Sequence, residues 1–400
     1  MKKIRGTSYY SYRTRKISLK KNTIILTILI SIFSAYFFMF YNGFNTPVEF
    51  IVEKEYAGDF VQSVISYDIH KATTNVKGLY VPAHKTSNMD ELLEIVNTTE
   101  INSFVIDVKD DKGYLTFDSE NLALLEVGSI KNNPPIDDIN YLMDLLYKND
   151  VYPIARIVVF KDTVVDTNFK DRMILDKNGE VYTNKADETW LDPSNTDNWT
   201  YILEFCKEAI NVGFKEIQFD YIRFHESMNH ETVILPEDET KTEIITRFVD
   251  YMVEQLSPYG VVISADVFGA IITSEIDSAI VGQDYQELAK RLDVICPMIY
   301  PSHYSTGSFG QVNPDLNPYE IILGALKASN EVIREIPIEE RKAVVRPYLQ
   351  DFTASWVTPH QEYTQVQIRE QIDAVYDAIL SEWIMWNGAA NYTKEAFELY

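Results

Sequence analysis

The chain has 400 residues, 46% of them hydrophobic and 13% aromatic, enough apolar side chain to bury a large core. Its first 45 residues hold eight Lys or Arg and no acid, so the remainder has 28 bases against 60 acids and a net charge of −32. A surface that acidic repels phosphate backbones and excludes nucleic acid as a partner of the folded part. Two cysteines, Cys206 in a helical pattern and Cys296 in an apolar run, are too few for a disulfide framework and read as buried free thiols.

Residues 1–23 read as a basic arm on the cytoplasmic side. Residues 24–41, IILTILISIFSAYFFMFY, run for eighteen positions without a charge, which at about 1.5 Å per helical residue just crosses a thin hydrocarbon core. A single-pass transmembrane anchor with its positive flank inside leaves everything beyond it extracellular. Cleavage as a signal peptide, releasing a secreted protein, is the alternative; bulky Tyr36, Phe37 and Phe38 after Ala35 argue against it. Residues 42–76 are irregular and polar and read as a stalk or extension.

A regular alternation begins at Lys77. KGLYVP is a short strand, Ser87–Asn88 a helix cap, and Met89, Leu92, Leu93 and Val96 a helical spacing. SFVIDVKDD (103–111) is the second strand. Asp137 and Asp138 open a helix with Ile139, Leu142, Met143, Leu145 and Leu146 on its apolar side, and YPIARIVVFKD (152–162) is the third strand. An excursion over 163–195 has a hairpin turn at Asn178–Gly179 and a Trp190 able to offer a flat apolar surface. A helix over 196–212 stops at Gly213 and feeds EIQFDYIRF (216–224), the fourth strand. A helix over 243–256, a strand over 261–270, a short helix over 285–292 and a strand over 293–304 follow. Then come a helix over 318–335, a strand over 344–352, a helix over 365–380 and a closing strand, WIMWN, over 383–387.

Eight strands alternating with helices predict an α/β fold, a closed (β/α)8 TIM barrel over 77–392 preceded by an N-terminal transmembrane helix and followed by a tail over 393–400. No GxGxxG or GxxxxGKS loop follows any strand, which disfavours nucleotide-binding sheets.

The C-terminal ends of barrel strands form the active-site face. There the sequence places Asp107, Lys109, Arg156, Asp220, Arg223, Asp266, Tyr300, His303, Gln350, Asp351, Trp386 and Asn387. Asp220 and Asp266 fall at equivalent depths on neighbouring strands, and paired carboxylates are the minimal equipment for glycoside cleavage. Asp107, Lys109, Arg156, Arg223, Tyr300, His303, Gln350, Trp386 and Asn387 are the expected substrate contacts, with aromatic faces for sugar rings and polar groups for hydroxyls. The bland reading of Asp220 is a buried partner for Arg223 or a neighbouring lysine. Without a pair of ligating histidines no metal or other cofactor is expected, and GxSxG is missing.

KGLYVPAH, INSFVIDVKDDKGYLTF, IQFDYIRF, ISADVFGA, YQELAKRLDVICPMIYPSHY, RPYLQDFTASW and WIMWNGAANY, in that order over 77–392, resemble the bacterial glycoside hydrolase domain of unknown function number 4015. The resemblance implies a barrel grouped with the amylase-like and other sugar-cleaving barrels. Amylase-type barrels carry a nucleophilic Asp after the fourth strand and an acid after the fifth, so by analogy Asp220 is nucleophile or charge stabiliser and Asp266 the general acid/base, with Asp107 in reserve. Two departures stand out: the acid is Asp where Glu is usual, and Gln218 replaces the arginine two residues before the nucleophile. The shorter acid favours an inverting arrangement or a structural role for Asp266. The expectation is a membrane-anchored, externally facing glycoside hydrolase acting on a polysaccharide or oligosaccharide of the cell envelope or matrix. Its alternative is a catalytically inactive barrel that binds envelope polysaccharide as a scaffold.

Overall fold

The structure, a computed structural model, describes residues 75–165 and 169–398. The predicted arm and anchor lie outside them, and among the described residues no helix is long and apolar enough to cross a membrane. Eight parallel strands close on themselves: β1 (Lys77–Val81), β2 (Ser103–Lys109), β3 (Tyr152–Val158), β4 (Glu216–Asp220), β5 (Val262–Phe268), β6 (Val294–Met298), β7 in two pieces (Val344–Val345 and Tyr348–Gln350) and β8 (Trp383–Trp386). Successive strands pair, and Gly78↔Ile384 joins β8 to β1. The break in β7 has a local cause: Pro347 has no N–H for the ladder, and Arg346 beside it is buried with Glu216 and Glu382.

The helices are α1 (Asp90–Thr98), α2 (Leu122–Val127), α3 (Ile139–Lys148), α4 (Thr196–Val212), α5 (Lys241–Leu256), α6 (Glu275–Val281), α7 (Tyr285–Ala289), α8 (Pro318–Glu335) and α9 (Gln365–Asp377). α4 stops where expected, at Gly213 with φ 110°. α5 starts on a reciprocal capping box between Thr240 and Glu243, which satisfies backbone donors that a helix start leaves free. Asp138 is a cap rather than a first-turn acid, accepting from the Tyr141 N–H at 2.9 Å. The cap expected at Ser87–Asn88 is weak: α1 begins at Asp90, whose N–H reaches Asn88 Oδ1 at 3.3 Å.

Strand parity sorts the side chains. Ile217 and Phe219 of β4 point to the helix layer, where Phe219 meets Phe248 of α5 edge-on at 5.8 Å. Glu216, Gln218 and Asp220 alternate to the other face, the lumen, at three levels. At the bottom, Glu216 accepts from Arg346 at 2.7 Å and from Ser264. In the middle, Gln218 accepts from the Tyr348 hydroxyl at 2.5 Å and donates to Cys296 Sγ at 3.4 Å. Asp220 forms the top. Cys206 and Cys296 are both free and buried.

Candidate active site

Arg156 organises the mouth. Its register partners are Asp107 on β2 and Gln218 on β4, so its guanidinium rises between two acid-bearing strands. Nε and Nη2 donate to Asp220 Oδ2 at 2.9 and 2.6 Å, and Nη1 donates to Asp107 Oδ1 at 2.7 Å. Asp111, on the loop after β2, lies 3.4 Å from Nη2. Burial disfavours the arginine's charge, but Asp220 and Asp107 outweigh it and hold the guanidinium firmly protonated. Gln218, two residues before Asp220, bonds instead to Tyr348 and Cys296, and the guanidinium that reaches Asp220 comes from the neighbouring strand.

Asp220 Oδ1 accepts from the Tyr221 N–H at 2.6 Å. Tyr221 has φ +54°, the left-handed region that a residue with a Cβ adopts at a cost of about 1–3 kcal/mol. That turn aims the amide at the carboxylate. Asp107 Oδ2 accepts from the Tyr80 hydroxyl at 2.7 Å, and the Tyr80 ring stacks on Trp386 with centroids 3.9 Å apart. Both rings lie 5.6 Å from the Arg156 guanidinium carbon.

Asp266 has the opposite surroundings. Phe219 pairs with Ala265, so Asp220 and Asp266 follow at the next step on adjacent strands. Asp266 is 2% exposed, and its Oδ1 is buried without a hydrogen-bond partner. Burial first, then the charge of Asp220, push its carboxyl well above the usual carboxylate range. The mouth therefore pairs an acid clamped by a guanidinium with a buried carboxyl whose ionisation is disfavoured by burial and by its acidic neighbour. Asp107 is also raised, chiefly by burial against the pull of Arg156 and Tyr80. At Asp111 burial pushes up, but Arg156 and Lys161 prevail and hold it low.

Not every expected contact reaches the mouth. Lys109 is fully buried and bridges Asp162 at 2.9 Å beneath the rings of Tyr201 and Phe205; the register shift after Asp107 turns it away from the lumen. Gln350 is spent on Ser302, from which it accepts at 2.8 Å, and on the Phe352 carbonyl, to which it donates at 2.9 Å. Asn387 uses both ends of its amide on loop backbone, donating to the carbonyls of Asp351, on the loop after β7, and of Asn391 on its own loop, and accepting from the Ala389 N–H. Arg223 lies at the rim, 4.4 Å from the Phe268 ring and bonded to the Phe224 carbonyl. Trp190, expected to offer a flat face, is buried against Tyr221 and His225. Tyr300 stands close enough to Asp266 and Asp220 for their charges, after burial, to push its phenol up. His303 is exposed, its ring 5.4 Å from Tyr300.

Tyr80, Asp111, Lys161 and Phe352 were not expected at the site. Tyr80 had a legible signal, since it shares the lumen parity of Gly78 just as Asp107 shares that of Ser103 and Val105. Lys161 pairs with Glu188 at 2.6 Å and Asp111 at 3.4 Å, a contact between loops that no strand pattern encodes. Among the described residues no group of three or more His, Cys, Asp or Glu is placed to hold a metal ion. A cavity of about 860 Å³ lies elsewhere, among Met228, Leu235, Lys241, Ile276 and Ile280, away from the paired acids.

The PgaB (BpsB) glycoside hydrolase domain from Bordetella bronchiseptica is similar in fold: 13% identity, 81% of this chain and 99% of that one covered, TM-score 0.57. A hypothetical protein from Ruminiclostridium thermocellum ATCC 27405 is 36% identical over 47% of this chain and 97% of its own, with a TM-score of 0.43. No curated protein matches. The model of the family described as "Putative glycosyl hydrolase domain", domain of unknown function 4015, matches residues 78–392, and the chain belongs to that family.

Proposed function

We propose that this protein is a membrane-anchored, outward-facing glycoside hydrolase that cleaves or remodels a cell-envelope or matrix polysaccharide with Asp220 and Asp266. The observation that carries the reading is the contrast between these two acids, one held by Arg156 and the other buried with an unpartnered oxygen, where burial disfavours its charge. In this mechanism Asp266 gives its proton to the glycosidic oxygen as that oxygen leaves the anomeric carbon, and Asp220 bonds to the carbon. Water then attacks the carbon, passes a proton to Asp266 and frees Asp220.

Asp220→Asn should abolish release of reducing ends from peptidoglycan, glucan or glucosamine polymers while leaving binding to the same polymer nearly intact. Asp266→Asn should lower kcat about 10²–10⁴-fold on natural linkages and much less on nitrophenyl glycosides, whose leaving group needs no proton. Full turnover by Asp220→Asn on the wild-type's substrate would sink the proposal. NMR of the first-formed anomer tests retention. Membrane fractionation that survives an alkaline wash tests the anchor over residues 24–41.

The scaffold reading draws on one observation, that Asp220 is only 6% exposed and already ion-paired. It predicts polymer binding without turnover, unaffected by Asp220→Asn.

A further inference from the structure

We propose that Trp356 is an outer sugar-binding platform, joined to the acid pair by a row of rings, and that the ligand is a chain of at least three sugars. This rests on the glycosidase reading and extends it from the scissile bond to the length of the substrate.

The row starts at Tyr300, two residues beyond Met298, which is the register partner of Phe268 on the strand that bears Asp266. Tyr300 packs with Trp386 against the lumen cluster of Tyr80, Cys296 and Tyr348. The Phe352 ring, on the loop after β7, is 5.9 Å from Tyr300 and 6.4 Å from His303. Trp356 lies 6.0 Å beyond Phe352, its plane within 18° of that ring. Two ring steps of that size exceed the width of one pyranose, so a sugar on Trp356 is not the sugar being cleaved.

Trp356 is 68% exposed, a large amphipathic ring left in water where burial against a ligand would be favourable. Its loop is braced. Ala354 is buried, the Val357 N–H bonds to the Ala354 carbonyl at 2.9 Å, and the Tyr363 N–H bonds to Thr353 Oγ1 at 3.0 Å. From the loop after β6, Asp315 accepts from the Gln361 N–H at 3.2 Å and through its carbonyl from Tyr363. A held ring loses little freedom on binding, which is the condition for a useful stacking platform. The flat face selects a ring rather than a charge, and its continuity with Tyr300 and Phe352 fixes where the ligand's other end lies.

The test uses the full chain carrying Asp220→Asn, so that bound sugar is not cleaved, with and without Trp356→Ala or Trp356→Tyr. The probes are chitin oligosaccharides, their deacetylated counterparts and malto-oligosaccharides of two to six units, followed by calorimetry. Trp356→Ala should weaken binding of oligomers of three or more units about three- to tenfold and of dimers less than twofold, with Trp356→Tyr restoring most of the loss. Equal loss for dimers and hexamers, or no loss at any length, would overturn the platform while leaving the acid pair untouched. Binding of none of these probes, together with no turnover of them by the wild type, would overturn both readings. An unchanged Tm for the Trp356 variants separates lost stacking from lost fold.

Discussion

Arg156 touches three carboxylates, and without it Asp107 and Asp220 stay buried with no cation between them. Arg156→Met should destabilise the fold by about 3–5 kcal/mol in urea unfolding, the usual cost of breaking a buried pair from one side. Arg156→Lys keeps the charge but loses the planar fork, so it should unfold closer to wild type and still turn over poorly. Asp351 makes a prediction about pH. Burial lifts its carboxyl to about 6, against the hydrogen bonds from the Thr393 N–H and hydroxyl. A folded value above the unfolded one, about 4, means that its contribution is complete below pH 4 and is lost as pH rises through 6. Asp351→Asn should therefore flatten the decline in unfolding free energy between those pH values by about 2–3 kcal/mol, read from urea midpoints. Residues of this kind mark the limit of sequence reading. Their position at strand ends put Asp107, Arg156, Asp220 and Asp266 at the mouth, but a strand end names a place, not a partner. Lys109, Gln350 and Asn387 carry the right chemistry at strand ends and are consumed by Asp162, Ser302 and loop carbonyls.

At the scale of elements, the loops after β2 and β3 are tied together behind the mouth. Asp162 Oδ1 accepts from the Val164 and Val165 N–H groups, and Oδ2 takes Lys109 Nζ and the Tyr201 hydroxyl of α4. A Cβ on Gly113 would come within 2.5 Å of the same carboxylate, so these loops meet only because residue 113 has none. Lys109→Met should cost about 3–5 kcal/mol by stranding Asp162, and adding Asp162→Asn should recover part of it, giving a coupling energy in a double-mutant cycle. Which elements were readable follows from their punctuation. α4 and α8 have a glycine stop and a proline start, and their bounds come straight from the letters. α6 is seven residues long with polar flanks, too short for a period to show. The break in β7 was signalled by Pro347 and outweighed by the apolar run around it.

For the molecule as a whole, eight spaced apolar runs were enough to imply a closed parallel sheet, because each strand must be covered by the helix that follows it. What joins opposite walls was not readable, since it depends on pairs far apart in the chain. On β4, Glu216 is tied to Arg346, 130 positions later, and Gln218 to Tyr348, also 130 positions later. Severing the backbone at Gly260, a turn where an added Cβ would meet nothing within 4 Å, would send Glu216 and Arg346 into separate pieces. Neither piece should give a cooperative melt by itself, whereas the two expressed together should recombine into one species with a single transition, because each supplies the countercharge that the other's interior lacks.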